Sequence, residues 1–202
     1  MHDSHIKNNL PVPFPRAYWV IPGLFLAGEY PGAPEPDAAR QKLGGLIAAG
    51  IRQIINLMET YETDHDGLLF DSYEEMIAEL AGEKGVEVGV RRFPIVDRRY
   101  PTPGAMAEIL DFIDENIENR IPVYVHCWGG IGRTGKVAGC FLIRHGLASG
   151  DNVLEKIAGL RNRDPERHRV SPETQIQREF LRRWRSCGVH RIPPGFGINQ
   201  RL

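Results

Sequence analysis

One glycine-rich stretch of the sequence carries residue types that are suited to phosphate chemistry. Cys127 and Arg133 are separated by five residues, three of them glycines, within the segment Val125 to Val137. Glycines lack a Cβ atom and allow backbone N–H groups to converge on one anion. Such donors also stabilise a thiolate, the nucleophilic form of cysteine, and a guanidinium can bind two phosphoryl oxygens at once. The spacing therefore predicts attack by a thiolate on a bound phosphate ester.

The interior of this loop is expected to bind the phosphate without a metal ion. Backbone dipoles and the arginine supply the positive field, so we predict no cofactor and no metal site. Asp64-His65-Asp66 has the side chains of a metal cluster, but consecutive residues cannot all face one ion, and we interpret it as a solvated loop. The residues expected to surround the phosphate are Trp128, Gly129, Gly130, Ile131, Gly132 and Arg133.

Other interpretations of the same loop fit less well. Gly130 to Gly135 matches G-x-G-x-x-G, but a dinucleotide-binding fold has that motif in its opening strand–helix unit, and here it follows the last predicted strand. Gly130 to Lys136 matches G-x-x-x-x-G-K, yet Val137 stands where nucleotide triphosphate sites need a hydroxyl to hold magnesium. A purely structural interpretation makes Cys127 a buried core thiol. The coincidence of cysteine, glycines and arginine at a strand-to-helix junction favours the phosphate site.

Alternating strand and helix patterns must position the loop. Helices are expected between the strands, and beyond the last strand every pattern is helical. This alternation predicts a single α/β domain with a mostly parallel central sheet flanked by helices. Short runs rich in β-branched residues predict strands at Tyr18–Ala27, Ile51–Leu57, Val86–Ile95 and Pro122–His126.

The clearest predicted helix is Pro103–Glu118, with Thr102 as its N-cap and a proline at its first position. Its apolar residues recur at helical spacing and should face the sheet: Met106, Ile109, Leu110, Ile113 and Ile117. Further helices are predicted at Arg133–His145, Asn152–Asn162 and Ser171–Ser186, the last with Ser171 as N-cap.

The segment HCWGGIGRTG resembles the HC-x5-R-[ST]-G signature of cysteine-dependent protein tyrosine and dual-specificity phosphatases. The opening Tyr-Trp-Val-x-Pro-Gly is similar to that of the compact bacterial dual-specificity members, and the resemblance extends over residues 17–186. It implies the cysteine-phosphatase fold and metal-independent hydrolysis of phosphomonoesters through a phosphocysteine on Cys127.

The resemblance also implies roles for individual residues. Asp97 corresponds to the general acid that protonates the leaving oxygen and then acts as general base. Asp111 and Asp114 suit that role less well because they lie on a predicted helix. Thr134 would stabilise the departing thiolate, and His126 would order the loop backbone.

The sequence departs from the family pattern in the downstream segment and in the loop interior. Glu173 aligns with the first of two water-positioning glutamines, which leaves Gln177 as the candidate for holding water. The loop interior lacks the lysines that some phosphoinositide phosphatases use for additional phosphates. This absence disfavours highly phosphorylated inositol substrates. Because no phosphotyrosine-recognition loop is recognisable in the sequence, we expect dual specificity towards phosphorylated proteins, or small phosphomonoesters as substrates. Two alternatives stay open: the same chemistry on a phosphoinositide, nucleotide or RNA 5′ phosphate, and a phospho-binding module without turnover.

Length and composition bound these expectations. The chain has 202 residues, of which 42% are hydrophobic and 25% charged, as in ordinary globular proteins. We expect an extended arm at residues 1–16, the phosphatase domain at 17–188 and a tail at 189–202. The net charge of −1 argues against nucleic acid as a partner, and no run of about 18 apolar residues suggests membrane insertion. Three cysteines form no disulfide framework, which favours a cytoplasmic protein; Cys140 is expected in the core, and Cys187 has no assigned role.

Overall fold

The computed structural model describes residues 10–185 and has a five-stranded sheet between two layers of helices. The strands are β1 (Ala17–Ile21), β2 (Phe25–Gly28), β3 (Gln53–Asn56), β4 (Gly89–Arg92) and β5 (Val123–His126). The helices are α1 (Pro36–Ala48), α2 (Glu74–Glu83), α3 (Pro103–Glu118), α4 (Arg133–Arg144), α5 (Val153–Leu160) and α6 (Gln175–Arg183). The strand order is β1-β2-β5-β3-β4, with β1 antiparallel to β2 and the other pairs parallel. This arrangement confirms the predicted α/β fold.

Each face of the sheet has its own hydrophobic core. Helices α1 and α2 cover one face, whereas α3, α4, α5 and α6 cover the other. Helix α3 has the predicted boundaries, and the Thr102 side chain accepts a hydrogen bond from the Ala105 N–H as its N-cap. All five apolar residues predicted to face the sheet from α3 are buried.

The register of the parallel strands brings their carboxyl ends to one edge of the sheet. His126 of β5 pairs with Gly28 on one side and with Asn56 on the other, and Asn56 pairs with Arg92. The segments that follow β3, β4 and β5 therefore leave the sheet side by side. In open α/β sheets this edge is where ligands bind.

The run Tyr18–Ala27 is not one strand, as predicted, but two. Gly23 has a φ of +75°, and the Leu24 N–H donates to the Ile21 carbonyl at 3.0 Å, so the chain reverses after Pro22. The apolar pattern continues through this turn because both strands are buried, and hydrophobicity alone did not reveal the hairpin.

Helix α6 begins later than predicted, and Ser171 is not its N-cap. Thr174 accepts from the Gln177 N–H, and the Gln177 side chain accepts from the Thr174 N–H, which forms a capping box. The Ser171 hydroxyl instead donates to the Ile131 carbonyl at 2.7 Å. The predicted end of this helix at Ser186 lies outside the described residues.

Part of the predicted N-terminal arm packs against the domain. Phe14 is buried in the core under α1 and α2, and the Trp19 indole donates to the Pro11 carbonyl at 3.1 Å. Residues 1–9 of the arm, the C-terminal tail and Cys187 lie outside the described residues. Within residues 10–185, no helix is both long and apolar enough to cross a membrane.

Candidate active site

The loop between β5 and α4 is pressed against the end of β2. Gly130 has a φ of +69°, a conformation that L side chains rarely adopt. A Cβ atom on Gly130 would lie 2.6 Å from the Gly28 carbonyl carbon and 2.7 Å from the Glu29 nitrogen. Gly130 is therefore required both by its backbone angle and by the backbone packed beside it.

Most carbonyl groups of this loop are bonded to its surroundings. The His126 imidazole donates to the Cys127 carbonyl at 3.1 Å, and the Tyr30 N–H donates to the Trp128 carbonyl at 2.8 Å. The Arg16 guanidinium donates to the Gly129 carbonyl at 2.8 Å, and the Ser171 hydroxyl donates to the Ile131 carbonyl at 2.7 Å. Across a planar trans peptide the carbonyl and the next N–H point in opposite directions. The N–H groups that follow these carbonyls consequently point into the loop, as an anion nest requires.

Cys127 lies at the base of the nest, with its side chain almost completely buried. The Thr134 hydroxyl oxygen lies 3.1 Å from the Cys127 Sγ atom and 3.4 Å from the Gly28 carbonyl oxygen. Because a hydroxyl has one proton, it can donate to the sulfur when the sulfur is a thiolate. The structure thus brings these two sequence-predicted residues together, and the role of Thr134 towards a departing thiolate stays a prediction.

His126 is held as a neutral imidazole beneath the loop. Its Nδ1 atom is 3.1 Å from the Cys127 carbonyl, which can only accept, so Nδ1 carries the proton. Its Nε2 atom then accepts from the Tyr73 hydroxyl at 2.6 Å. Desolvation by burial lowers the pKa of His126 to about 3. His126 therefore orients the loop backbone as a neutral hydrogen-bond donor.

Arg133 forms a bidentate pair with Glu62, which sequence reasoning missed. The two guanidinium nitrogens Nη1 and Nη2 lie 2.5 and 2.6 Å from the Glu62 carboxylate oxygens. Glu62 follows β3 within an acidic segment, and nothing in the sequence distinguished it from solvated neighbours. Its position beyond the carboxyl end of a parallel strand was the one available signal.

The same guanidinium contacts the segment that contains Asp97. Arg133 Nη1 donates to the Ile95 carbonyl at 3.2 Å, and Nη2 is 3.2 Å from Asp97 Oδ1. The Asp97 side chain is half exposed. Arg133 Nε is buried and finds no hydrogen-bond partner among the described residues. A buried donor of this kind is costly unless it meets an acceptor, and a bound phosphate oxygen is the acceptor that the nest would supply.

Gln177 is fully buried against the loop. Its Nε2 and Oε1 atoms would each be 3.2 Å from a Cβ atom placed on Gly132. Its Oε1 accepts from the Thr174 N–H, and its Nε2 donates to the Arg99 carbonyl at 3.4 Å. Its predicted role in holding water stays a prediction. Glu173 lies on the surface, paired with Arg169 at 2.8 Å.

The weaker sequence signals lie apart from this chemistry. Cys140 is buried in the core, where desolvation raises the pKa of its thiol well above the usual value. Asp64 accepts from the N–H groups of Asp66 and Leu68 within its own loop, both at 2.9 Å. Within residues 10–185, no three His, Cys, Asp or Glu side chains are grouped so that they could hold a metal ion.

Replacing Gly130 with alanine should lower the free energy of unfolding by at least about 2 kcal/mol, because the new Cβ meets the β2 backbone at a positive φ. Gly129→Ala is the matched control, since its Cβ would meet nothing nearer than an Arg16 nitrogen at 3.7 Å. Urea unfolding measures both variants. Equal destabilisation of the two would contradict the tight packing described for Gly130.

Acid should destabilise the fold partly through His126. Its folded pKa of about 3 lies below the ordinary value of 6.5, so the unfolded chain takes up the proton first. The contribution of neutral His126 to the free energy of unfolding is complete above pH 6.5. It is lost as the pH falls towards 3, at up to about 1.4 kcal/mol per pH unit. Urea unfolding between pH 7 and pH 4 should show a shallower slope of the free energy of unfolding against pH for His126→Gln than for the wild type. An unchanged slope in His126→Gln would refute the assignment.

Known proteins share this sequence pattern and this fold. A model of the family described as "Polymorphic toxin system, DSP-PTPase phosphatase" matches residues 31–147. The solved structure of Tk-PTP in its active form is 26% identical, with a TM-score of 0.58 over 83% of this chain and 95% of that chain.

Two other solved structures share the fold at lower identity. PTPMT1 in complex with PI(5)P is 21% identical, with a TM-score of 0.55 over 82% of this chain and 94% of that chain. The catalytic domain of the PP-IP phosphatase SIW14 from S. cerevisiae is 13% identical, with a TM-score of 0.60 over 88% and 89%. Because the family model covers more than half of the sequence, the chain belongs to the DSP-PTPase phosphatase family and is an enzyme of the protein tyrosine and dual-specificity phosphatase class.

Proposed function

We propose that the protein hydrolyses phosphomonoesters through a phosphocysteine on Cys127, with Asp97 as the general acid and then the general base. The position of the Arg133 guanidinium carries this proposal. It ends the loop that begins at Cys127 and lies 3.2 Å from Asp97 Oδ1, so the phosphate ligand links the loop of the nucleophile to the proposed proton donor. Phosphoryl transfer needs this kind of positioning and charge stabilisation more than it needs further covalent chemistry.

In the first step the Cys127 thiolate attacks phosphorus. A sulfur–phosphorus bond forms as the bond to the leaving oxygen breaks, and protonated Asp97 gives its proton to that oxygen. The inward N–H groups of the loop and Arg133 bind the remaining phosphoryl oxygens, whose charge they stabilise in the transition state.

In the second step water releases the phosphate. The Asp97 carboxylate accepts a proton from the attacking water, an oxygen–phosphorus bond forms, and the sulfur–phosphorus bond breaks. The Thr134 hydroxyl, 3.1 Å from Sγ, donates to the departing thiolate. Arginine and backbone dipoles supply the positive charge for both steps, and this mechanism needs no metal ion.

We propose phosphorylated proteins, at tyrosine or at serine and threonine, as the substrate class. The loop interior carries no lysine for a second phosphate, and the Lys136 amine donates to the Arg99 carbonyl instead. Exposed apolar side chains lie beside the site residues in the chain, with Tyr61 next to Glu62 and Val96 next to Asp97. These side chains suit a peptide or an aryl group better than a highly charged ligand.

Phosphoinositides, nucleotides and RNA 5′ phosphates form the alternative substrate class, and a panel of these compounds beside phosphopeptides separates them by kcat/KM. PTPMT1 was solved with PI(5)P, but at that identity the likeness bears on the fold alone. A module that only binds phosphate would have no need for a hydroxyl at the sulfur or for Asp97 at the guanidinium.

The enzyme should turn over an aryl phosphate in the presence of EDTA, and Cys127→Ser should lower kcat by at least about a thousandfold. Cys140→Ser is the matched control, because it removes a buried thiol outside the proposed machinery and should retain turnover. Steady-state kinetics across pH measure all three proteins. Turnover by Cys127→Ser would contradict the mechanism, and so would loss of wild-type turnover in EDTA. If the wild type is inert as well, binding of phosphopeptides and phosphoinositides tests the module.

A further inference from the structure

Lys136 is a fully buried lysine for which the proposed mechanism has no use. It lies one turn after Arg133 on α4, with its side chain withdrawn from solvent. Desolvation lowers the pKa of Lys136 to about 8; a thiolate at Cys127 acts to raise it, and the positive charge of Arg133 to lower it. Burying an amine at this cost requires a compensating contact.

The compensating contact is the backbone of the segment that contains Asp97. The Lys136 amine donates to the Arg99 carbonyl, and Gln177 Nε2 donates to the same oxygen at 3.4 Å. Arg99 is two residues beyond Asp97. Lys136 therefore acts on the chain immediately after the proposed general acid.

Asp97 lies in a tight turn that is held at both ends. The Arg99 N–H donates to the Val96 carbonyl at 3.1 Å, which closes the turn. Arg133 Nη1 holds the Ile95 carbonyl before the turn at 3.2 Å, and Lys136 holds the Arg99 carbonyl after it. Two cations on one face of α4 thus fix the backbone on either side of the Asp97 side chain.

The chain after the turn is also fixed against α6. The Tyr100 ring stacks on Phe180, with ring centroids 5.0 Å apart and planes inclined at 22°. Beyond Tyr100, helix α3 begins at Pro103. The Arg99 carbonyl is therefore the point at which α4 and α6 both act on the Asp97 turn.

We propose that Lys136 is a positioning residue that holds the Asp97 turn in place for proton transfer to the leaving oxygen, through its hydrogen bond to the Arg99 carbonyl. This inference rests on the proposed function, because it requires Asp97 to be the general acid. Proton donation matters most when the leaving alcohol is a poor leaving group. Loss of the Lys136 contact should therefore slow the reaction more for esters with a poor leaving group than for esters with a good one.

The test compares two esters, p-nitrophenyl phosphate with a good leaving group and phenyl phosphate with a poorer one. Lys136→Met keeps the length of the side chain and removes the donor. It should lower kcat/KM, which reports the step that expels the leaving group, by about tenfold or more on phenyl phosphate and by clearly less on p-nitrophenyl phosphate, because misplacement of a catalytic group is costly even over about 1 Å. KM should stay within about twofold of the wild type, since phosphate contacts are unchanged.

A double-mutant cycle shows whether Lys136 acts through Asp97. In an Asp97→Asn background, Lys136→Met should change kcat/KM by less than about twofold, because the group that it positions is already lost. Lys136→Gln keeps an amide donor and should lose less activity than Lys136→Met. It also serves as the second variant if Lys136→Met fails to fold or to express. Lys156→Met, which removes an exposed lysine on α5, is the matched control.

The outcomes separate the inference from the function on which it rests. Equal losses on the two esters, or a full loss by Lys136→Met in the Asp97→Asn background, would overturn the positioning role. If Asp97→Asn itself lowers kcat/KM equally for both esters, Asp97 is not the general acid, and the proposed mechanism fails independently of Lys136.

Discussion

The buried guanidinium of Arg133 is the interaction on which the site depends. Although desolvation acts to lower it, the hydrogen bonds that Arg133 donates to the Glu62 carboxylate raise the pKa of Arg133 above its usual range. The partners of this side chain come from the segments after β3 and β4, and Arg133 itself ends the loop after β5. One fixed positive charge thus joins the three segments that the parallel register brings to one edge of the sheet. Removing one member of such a buried pair is usually strongly destabilising.

The orientation of the loop follows from bonds made outside it. Three of the four donors to loop carbonyls belong to distant parts of the chain: Arg16 precedes β1, Tyr30 follows β2, and Ser171 precedes α6. The anion nest therefore exists only when the domain is folded around it. This dependence couples the stability of the fold to the preorganisation that phosphoryl transfer requires.

Local patterns allowed much of this structure to be predicted. The loop from Cys127 to Arg133 and the boundaries of α3 were accessible because spacing and capping act within a few positions, whereas Asp97 became a candidate only through the resemblance to the phosphatase family. The hairpin after β1 was missed, since two buried strands have the same apolar composition as one longer strand. The start of α6 was misplaced because both Ser171 and Thr174 are good N-cap residues. In the structure the Ser171 hydroxyl donates to the Ile131 carbonyl instead of capping the helix.

Glu62 and Lys136 could not be identified as site residues from the sequence. Glu62 is one acid among many in its segment, and only the tertiary fold places it 2.5 Å from Arg133. Lys136 fits the sequence pattern of a nucleotide-binding motif, whereas its partner in the structure is the Arg99 backbone carbonyl. Every residue has such a carbonyl, so the sequence does not indicate which one the lysine contacts. Long-range contacts of this kind are set by packing between distant segments.

The most direct test of the central claim is to trap the covalent intermediate. Wild-type enzyme mixed with an aryl phosphate and quenched in acid within one turnover should carry a phosphoryl group on the peptide that contains Cys127, located on the sulfur by mass spectrometry. Acid quenching of Cys127→Ser should give an unmodified peptide. Turnover by the wild type with phosphate on another residue, or with no phosphorylated peptide at any quench time, would contradict nucleophilic attack by Cys127.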